Sequence, residues 1–302
     1  KMAATKAERR DGLLNGSPAG GLFLFAVPLI LGNLFQQFYN MTDSIIVGNF
    51  VGEDALAAVG ASYALTNVFI MIAIGGGNGA SVLTSQYLGA KQYSQMKTSI
   101  STSCLTFLAL SIFLGGFGFF FSGPILRALD TPENILGQAE LYLSIYFLGM
   151  PFLFMYNVLA SVFNAMGDSR TPLFLLIFSS LLNVVLDIIS VTSMGMGVDG
   201  VAIATVMAQG ISVCISFGVL LHRLKGYGHT GDEVPFKRYD RHMLAVGTKI
   251  AVPTILQQSI VSIGMLLVQS VVNGFGSGAL AGYSAASRIE SICIVPLIAT
   301  GN

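Results

Sequence analysis

The chain has 302 residues, 53% of them hydrophobic and only 10% charged, with 15 basic and 15 acidic side chains and a formal net charge of zero. A soluble domain carries about 25% charged residues, so too few charges exist here to cover a water-facing surface. A neutral chain also offers no bulk attraction for nucleic acid, and three cysteines set far apart in apolar runs (Cys104, Cys214, Cys293) fit neither a metal cage nor a disulfide framework.

Residues 1–20 form a polar segment carrying Lys1, Lys6, Arg9 and Arg10. The apolar run that follows is too long for a signal peptide and holds Gln36, Gln37, Asn40 and Asp43, so it reads as a retained first span. A bilayer crossing needs about 20 mostly apolar residues, and runs without period-two alternation cross as helices. Eight candidates follow in order: 22–49, 54–86, 98–122, 135–163, 172–194, 199–222, 244–273 and 279–302. Connections are short except for 223–243. With the N-terminus in the cytoplasm, Lys91, Lys97, Arg170, Arg223, Lys225, Lys237, Arg238 and Arg241 all fall on the inner side and only Arg127 on the outer side, which fixes the orientation by the positive-inside rule.

The first span places Gln36, Asn40 and Asp43 on one polar stripe by helical spacing. A carboxylate at a helix centre costs on the order of 2.5–3.5 kcal/mol on insertion scales, so it is a functional candidate by default. The second span carries Gly75-Gly76-Gly77-Asn78-Gly79, which lacks the Lys-Ser/Thr of a phosphate loop and reads as a flexible or closely packed stretch. In the fourth span Tyr142, Tyr146 and Phe154, with Tyr39 and Met207 elsewhere, are candidates for the wall of an aromatic pocket, though packing is their default role. The fifth span sets Asn183 and Asp187 four residues apart on one face, where the amide can donate to the acid and the pair can hold a proton or a small cation with oxygen ligands. The sixth offers Thr205 and Gln209 at the same spacing, a pair that also serves as interhelical glue. The seventh has Gln257, Gln258 and Gln269 but no acid, and the eighth has Glu290 near Arg288. Pro28, Pro151, Pro253 and Pro296 are expected to mark bends.

Ala26-Val27-Pro28 recurs as Ala251-Val252-Pro253, and the register persists through Gly77-Asn78 and Gly301-Asn302. Six spans separate the copies, an even number, so both copies enter the membrane in one direction and form a parallel repeat about the membrane normal. The expected organisation is a cytoplasmic segment (1–20), a first lobe (21–222), a cytoplasmic linker (223–243) and the start of a second lobe (244–302). By repeat logic a complete second half brings twelve spans, so the chain reads as a fragment lacking four.

Four stretches together resemble the MATE (multidrug and toxic compound extrusion) family. They are Pro28 through Gly48, Ser85 through Lys91, Asn164 through Pro172, and Asn183…Asp187 followed by Asp199 through Thr205. The resemblance implies an all-α integral membrane fold of two six-helix lobes about a central cleft, here the first lobe and about two helices of the second. It implies export of cationic or amphipathic compounds against entry of H+ or Na+, no cofactor and no enzymatic activity. In the DinF-like branch the first-lobe site matches Asp43, Asn183, Asp187 and Thr205, which could also hold Na+. The NorM-like branch has an acid on span seven, and this chain has none there.

The expected carrier is a monomer in the bacterial cytoplasmic membrane, with a small organic cation as its guest. Gln36, Tyr39, Asn40, Tyr146, Asn157, Met207, Gln209 and Glu290 are expected around its cavity. Asp43 and Asp187 lose protons on the cytoplasmic side and accept the cation. Outside protons then displace it, with a bend of span one at Pro28. A lipid-linked oligosaccharide flippase of the same architecture should carry Arg and Lys in the membrane interior, which holds acids instead. An intramembrane aspartyl protease lacks its Gly-x-Gly-Asp signature here.

Overall fold

A computed structural model describes residues 18–128, 133–227 and 234–273. It contains eight α-helices and no strand among the described residues: α1 (Pro18–Ile46), α2 (Glu53–Gly89), α3 (Tyr93–Ala128), α4 (Glu133–Leu148), α5 (Met150–Ala165), α6 (Arg170–Ile188), α7 (Val198–Leu224) and α8 (Arg241–Asn273). Five-residue π turns, Val47–Val51 and Ile189–Ser193, extend α1 and α6. Among the described residues five helices, α2, α3, α6, α7 and α8, are long and apolar enough to cross a membrane, α1 is not among them, and α4 with α5 counts as a sixth if a pair bent by 52° is taken as one span. Span four is thus two helices rather than one. The break falls at Gly149, with Pro151 in the first turn of α5, where its missing N–H costs nothing. Pro28 and Pro253 stay inside α1 and α8. Pro296, Glu290 and the eighth predicted span lie outside the described residues.

Helix α2 is the hub, packing on α3, α4, α5 and α8, while α1 packs on α6 and α6 on α7. Phe147 is fully buried and meets Phe69 edge-to-face at 5.1 Å between ring centres. Phe113, Phe120 and Phe174 are instead exposed at 70%, 77% and 68%, the surface expected where lipid rather than water is the solvent. The glycine run of α2 is a point of close approach. A Cβ on Gly75 would strike Ile255 of α8, one on Gly77 would strike Ser161 of α5, and one on Gly79 would lie 2.7 Å from the Gly247 carbonyl oxygen. Small residues four apart let helix backbones touch in this way.

Two of the motifs are helix ends. After α2, Lys91 takes φ 59°, and Gln92 N–H donates to Tyr87 O at 2.9 Å, closing the helix through a left-handed residue. After α5, Gly167 takes φ 75° and Asp168 N–H returns to Phe163 O at 2.9 Å. Asp168 then accepts from Thr171 N–H at 3.2 Å and Thr171 Oγ1 at 2.5 Å, capping α6. Arg223 at the end of α7 pairs with Asp168 and donates to Thr171 Oγ1 at 2.8 Å.

The linker is strapped to α3. Thr98 and Thr102, one turn apart, accept from the backbone N–H groups of Lys237 and Asp240 at 3.0 Å each. Ser101 donates to Arg238 O and Lys97 to Tyr227 O, both at 2.7 Å. Asp240 caps α8 by accepting from His242 N–H at 2.8 Å and Met243 N–H at 3.2 Å.

Candidate functional site

The helical spacing of α6 puts Leu176, Ser179, Ser180, Asn183 and Asp187 along one stripe, and all but the first are buried. That stripe meets α1 and α7. Asp187 is fully buried and Asn183 is 2% exposed. Asp43 of α1 lies within hydrogen-bonding reach of Asp187, carboxyl against carboxyl. Asn183 satisfies every neighbour when its amide nitrogen faces the acid. Nδ2 then donates to Asp187 Oδ2 at 3.1 Å and to the Tyr39 hydroxyl at 2.7 Å, while Oδ1 accepts from Thr205 N–H at 3.1 Å and Thr205 Oγ1 at 3.3 Å. The single Thr205 hydroxyl proton is shared with Val201 O, 3.0 Å away.

Asp43, Asn183, Asp187 and Thr205, drawn from three helices, therefore form one cluster with Tyr39. Oδ1 of Asp43 and Oδ1 of Asp187 have no hydrogen-bond donor among the described residues. Two adjacent carboxylates repel unless a proton or a cation lies between them. The arrangement is built to take up one or the other. Among the described residues no three His, Cys, Asp or Glu side chains gather as a metal cage would need.

A cavity of about 50 Å³ adjoins the cluster, lined by Gln36, Tyr39, Tyr156, Leu176, Ser179, Ser180, Asn183, Thr205, Ala208 and Gln209. Of the outer candidates, Gln36, Tyr39 and Gln209 line it. Tyr146 is buried and stacks on Tyr142, ring centres 6.2 Å apart. Asn157 donates to Leu153 O at 2.8 Å, within its own helix. Met207 is 49% exposed and does not line the cavity. Asn40 lies on α1 with its side chain outside the described residues, as is all of Glu290.

Sequence reasoning missed Tyr156, Ser179 and Ser180. The serines lie three and four residues before Asn183, the spacing that could have revealed them. It also passed over Glu140, an acid of α4 whose carboxylate crowds Gly123 of α3.

Residues 28–189 match the MatE family model. The chain is 34% identical over 286 residues to the probable multidrug resistance protein YpnP of Bacillus subtilis, covering 93% of this chain and 62% of that protein. It is 24% identical over 295 residues to the FAD transporter of Shewanella oneidensis, covering 96% of this chain and 64% of that one. A solved outward-facing multidrug resistance MATE family transporter of the MOP superfamily superimposes with a TM-score of 0.85 at 25% identity, over 96% of this chain and 64% of that one. The chain thus spans somewhat under two thirds of the length of the relatives it matches.

Proposed function

The chain belongs to the MATE family of transporters, and on that premise we propose that it acts in an antiporter exporting cationic or amphipathic organic compounds in exchange for protons. One observation carries this reading: Asp43 and Asp187 meet between packed helices with an unpartnered oxygen each. A proton and an organic cation are alternative ways of neutralising the same carboxylates. The site exchanges one for the other as its access alternates between the two sides. Asn183 holds Asp187 in place, and Tyr39 and Thr205 hold Asn183.

A second reading, Na+ as the driving ion, is favoured by the amide itself. Turned over, Asn183 accepts from Tyr39 OH at 2.7 Å and donates to Thr205 Oγ1 at 3.3 Å. Its Oδ1 then faces the acids, and the donor set becomes the all-oxygen one that a hard cation takes. Substrates dominated by phosphate, such as dinucleotides or lipid-linked sugars, fit less well, because no basic side chain stands among the described residues of the site.

The carrier works as a monomer in the bacterial cytoplasmic membrane with its N-terminus inside. The gathering of Lys97, Arg223 and Lys237 at one end of the helices supports that sidedness. The test is drug-stimulated proton flux in liposomes, under a proton gradient alone and then a sodium gradient alone. Asp187→Asn is expected to abolish coupled flux. Unchanged flux in that variant would sink the assignment.

A further inference from the structure

Resting on that reading of Asp187, we propose that the proton leaves the acid pair toward the basic side of the membrane through a polar seam inside the first lobe, between α5, α6 and α7. The organic substrate takes a different route.

The 50 Å³ cavity begins at Tyr39, Asn183 and Thr205 and runs along α6 to Leu176. At 1.5 Å per residue the stretch from Asn183 to Leu176 covers about 10 Å of the roughly 24 Å between Asp187 and Thr171. The side chains beside it are polar yet hidden: Ser179, Ser180 and Asn183 are 9%, 4% and 2% exposed. Beyond the cavity the stripe continues on α7, where Gln209, Ser212 and Ser216 recur at helical spacing. Ser212 is fully buried and its hydroxyl has no hydrogen-bond partner among the described residues, and the same is true of Asn164 Oδ1 on α5. The seam ends at the Asp168–Arg223–Thr171 cluster.

Internal water resides where buried polar atoms lack protein partners, as at Ser212 and Asn164, and in voids whose wall holds several polar side chains, as Ser179, Ser180, Asn183 and Thr205 do here. A void of this size takes a few waters and excludes an organic cation, whose pockets run from about 300 Å³. The seam is therefore a size filter. The carboxylic proton passes to the Tyr39 hydroxyl or to a water, and each partner hands on one proton of its own. Net charge moves as a single proton and no bond other than O–H is made or broken.

The experiment fills the void. Ala208→Leu and, separately, Ser180→Val are made in the protein reconstituted in liposomes. Proton-driven export of tetraphenylphosphonium is expected to fall about tenfold in each, with equilibrium binding of the same cation within about twofold of wild type. If either variant binds the cation and melts like wild type yet exports at the wild-type rate, the seam is refuted. Asp187→Asn, run alongside, separates the two failures. Loss there with normal export in the filled variants refutes the seam alone, while normal export in Asp187→Asn refutes the reading beneath it. Should Ala208→Leu misfold, the smaller Ser180→Val decides.

Discussion

Substituting Gly79 by alanine tests the crossing of α2 and α8. The new Cβ would lie 2.7 Å from Gly247 O and 3.1 Å from Ala251 Cβ. Carbon atoms settle at about 3.5–4.0 Å, so the contact with Ala251 is short by about 0.4 Å or more, and that with the carbonyl by more. Neither obstacle is the end of a flexible side chain, so the helices must part. Overpacking of this kind costs about 1–3 kcal/mol, and with an unfolding entropy of about 2.1 cal/mol/K per residue a chain of this size loses roughly 1.5 °C per kcal/mol. Thermal unfolding of the detergent-solubilised protein should therefore shift down by roughly 2–5 °C. Gly116 of α3 is the control, because a Cβ there meets nothing within 4 Å. Its alanine variant should melt no lower than wild type, since alanine favours a helix over glycine by about 0.8–1 kcal/mol. Adding Ala251→Gly to Gly79→Ala should restore part of the loss. The reasoning fails if Gly79→Ala melts at or above wild type, or if Gly116→Ala falls as far.

Two further outcomes concern the strap between α3 and the linker. Thr98→Val deletes the acceptor for Lys237 N–H, and with about 1 kcal/mol per net hydrogen bond its amide should exchange roughly fivefold faster; an unchanged rate would mean the strap is held by something else. The Asp240 carboxyl is held below its ordinary value of 3.8 first by Met243 N–H, then by His242 N–H and the Lys237 ammonium. A depressed value means stability that is present at neutral pH and lost as pH falls through the folded-state value. The Asp240 carboxyl resonance should therefore titrate with a midpoint under 3.8, and the Asp240→Asn protein should lose that acid-dependent step at the start of α8. A midpoint at or above 3.8 contradicts the cap.

What was legible in the sequence follows from what membranes make expensive. A carboxylate at lipid depth is costly enough that Asp43 and Asp187 stood out unaided, and helical spacing tied Asn183 to Asp187 before any coordinates. The helices were legible for the same reason, since apolar runs have only one way to satisfy their backbone. The bend in span four was legible at Pro151. That the break itself falls at Gly149 was not, because a glycine two residues before a proline inside an apolar run leaves hydropathy unchanged; packing reveals it, since a Cβ at Gly149 would strike Val206 of α7. Serine is the harder case. Its hydroxyl can return to its own helix, as Ser216 does to Ser212 O at 2.7 Å, so a serine in a span carries little cost and little signal. Ser179 and Ser180 became informative only when α6 was seen to turn them inward around a void, and Ser212 when α7 was seen to bury it. Residues that bind an ion announce themselves by their charge, whereas residues that carry it onward hold no charge at rest, and their role is written in the space between helices.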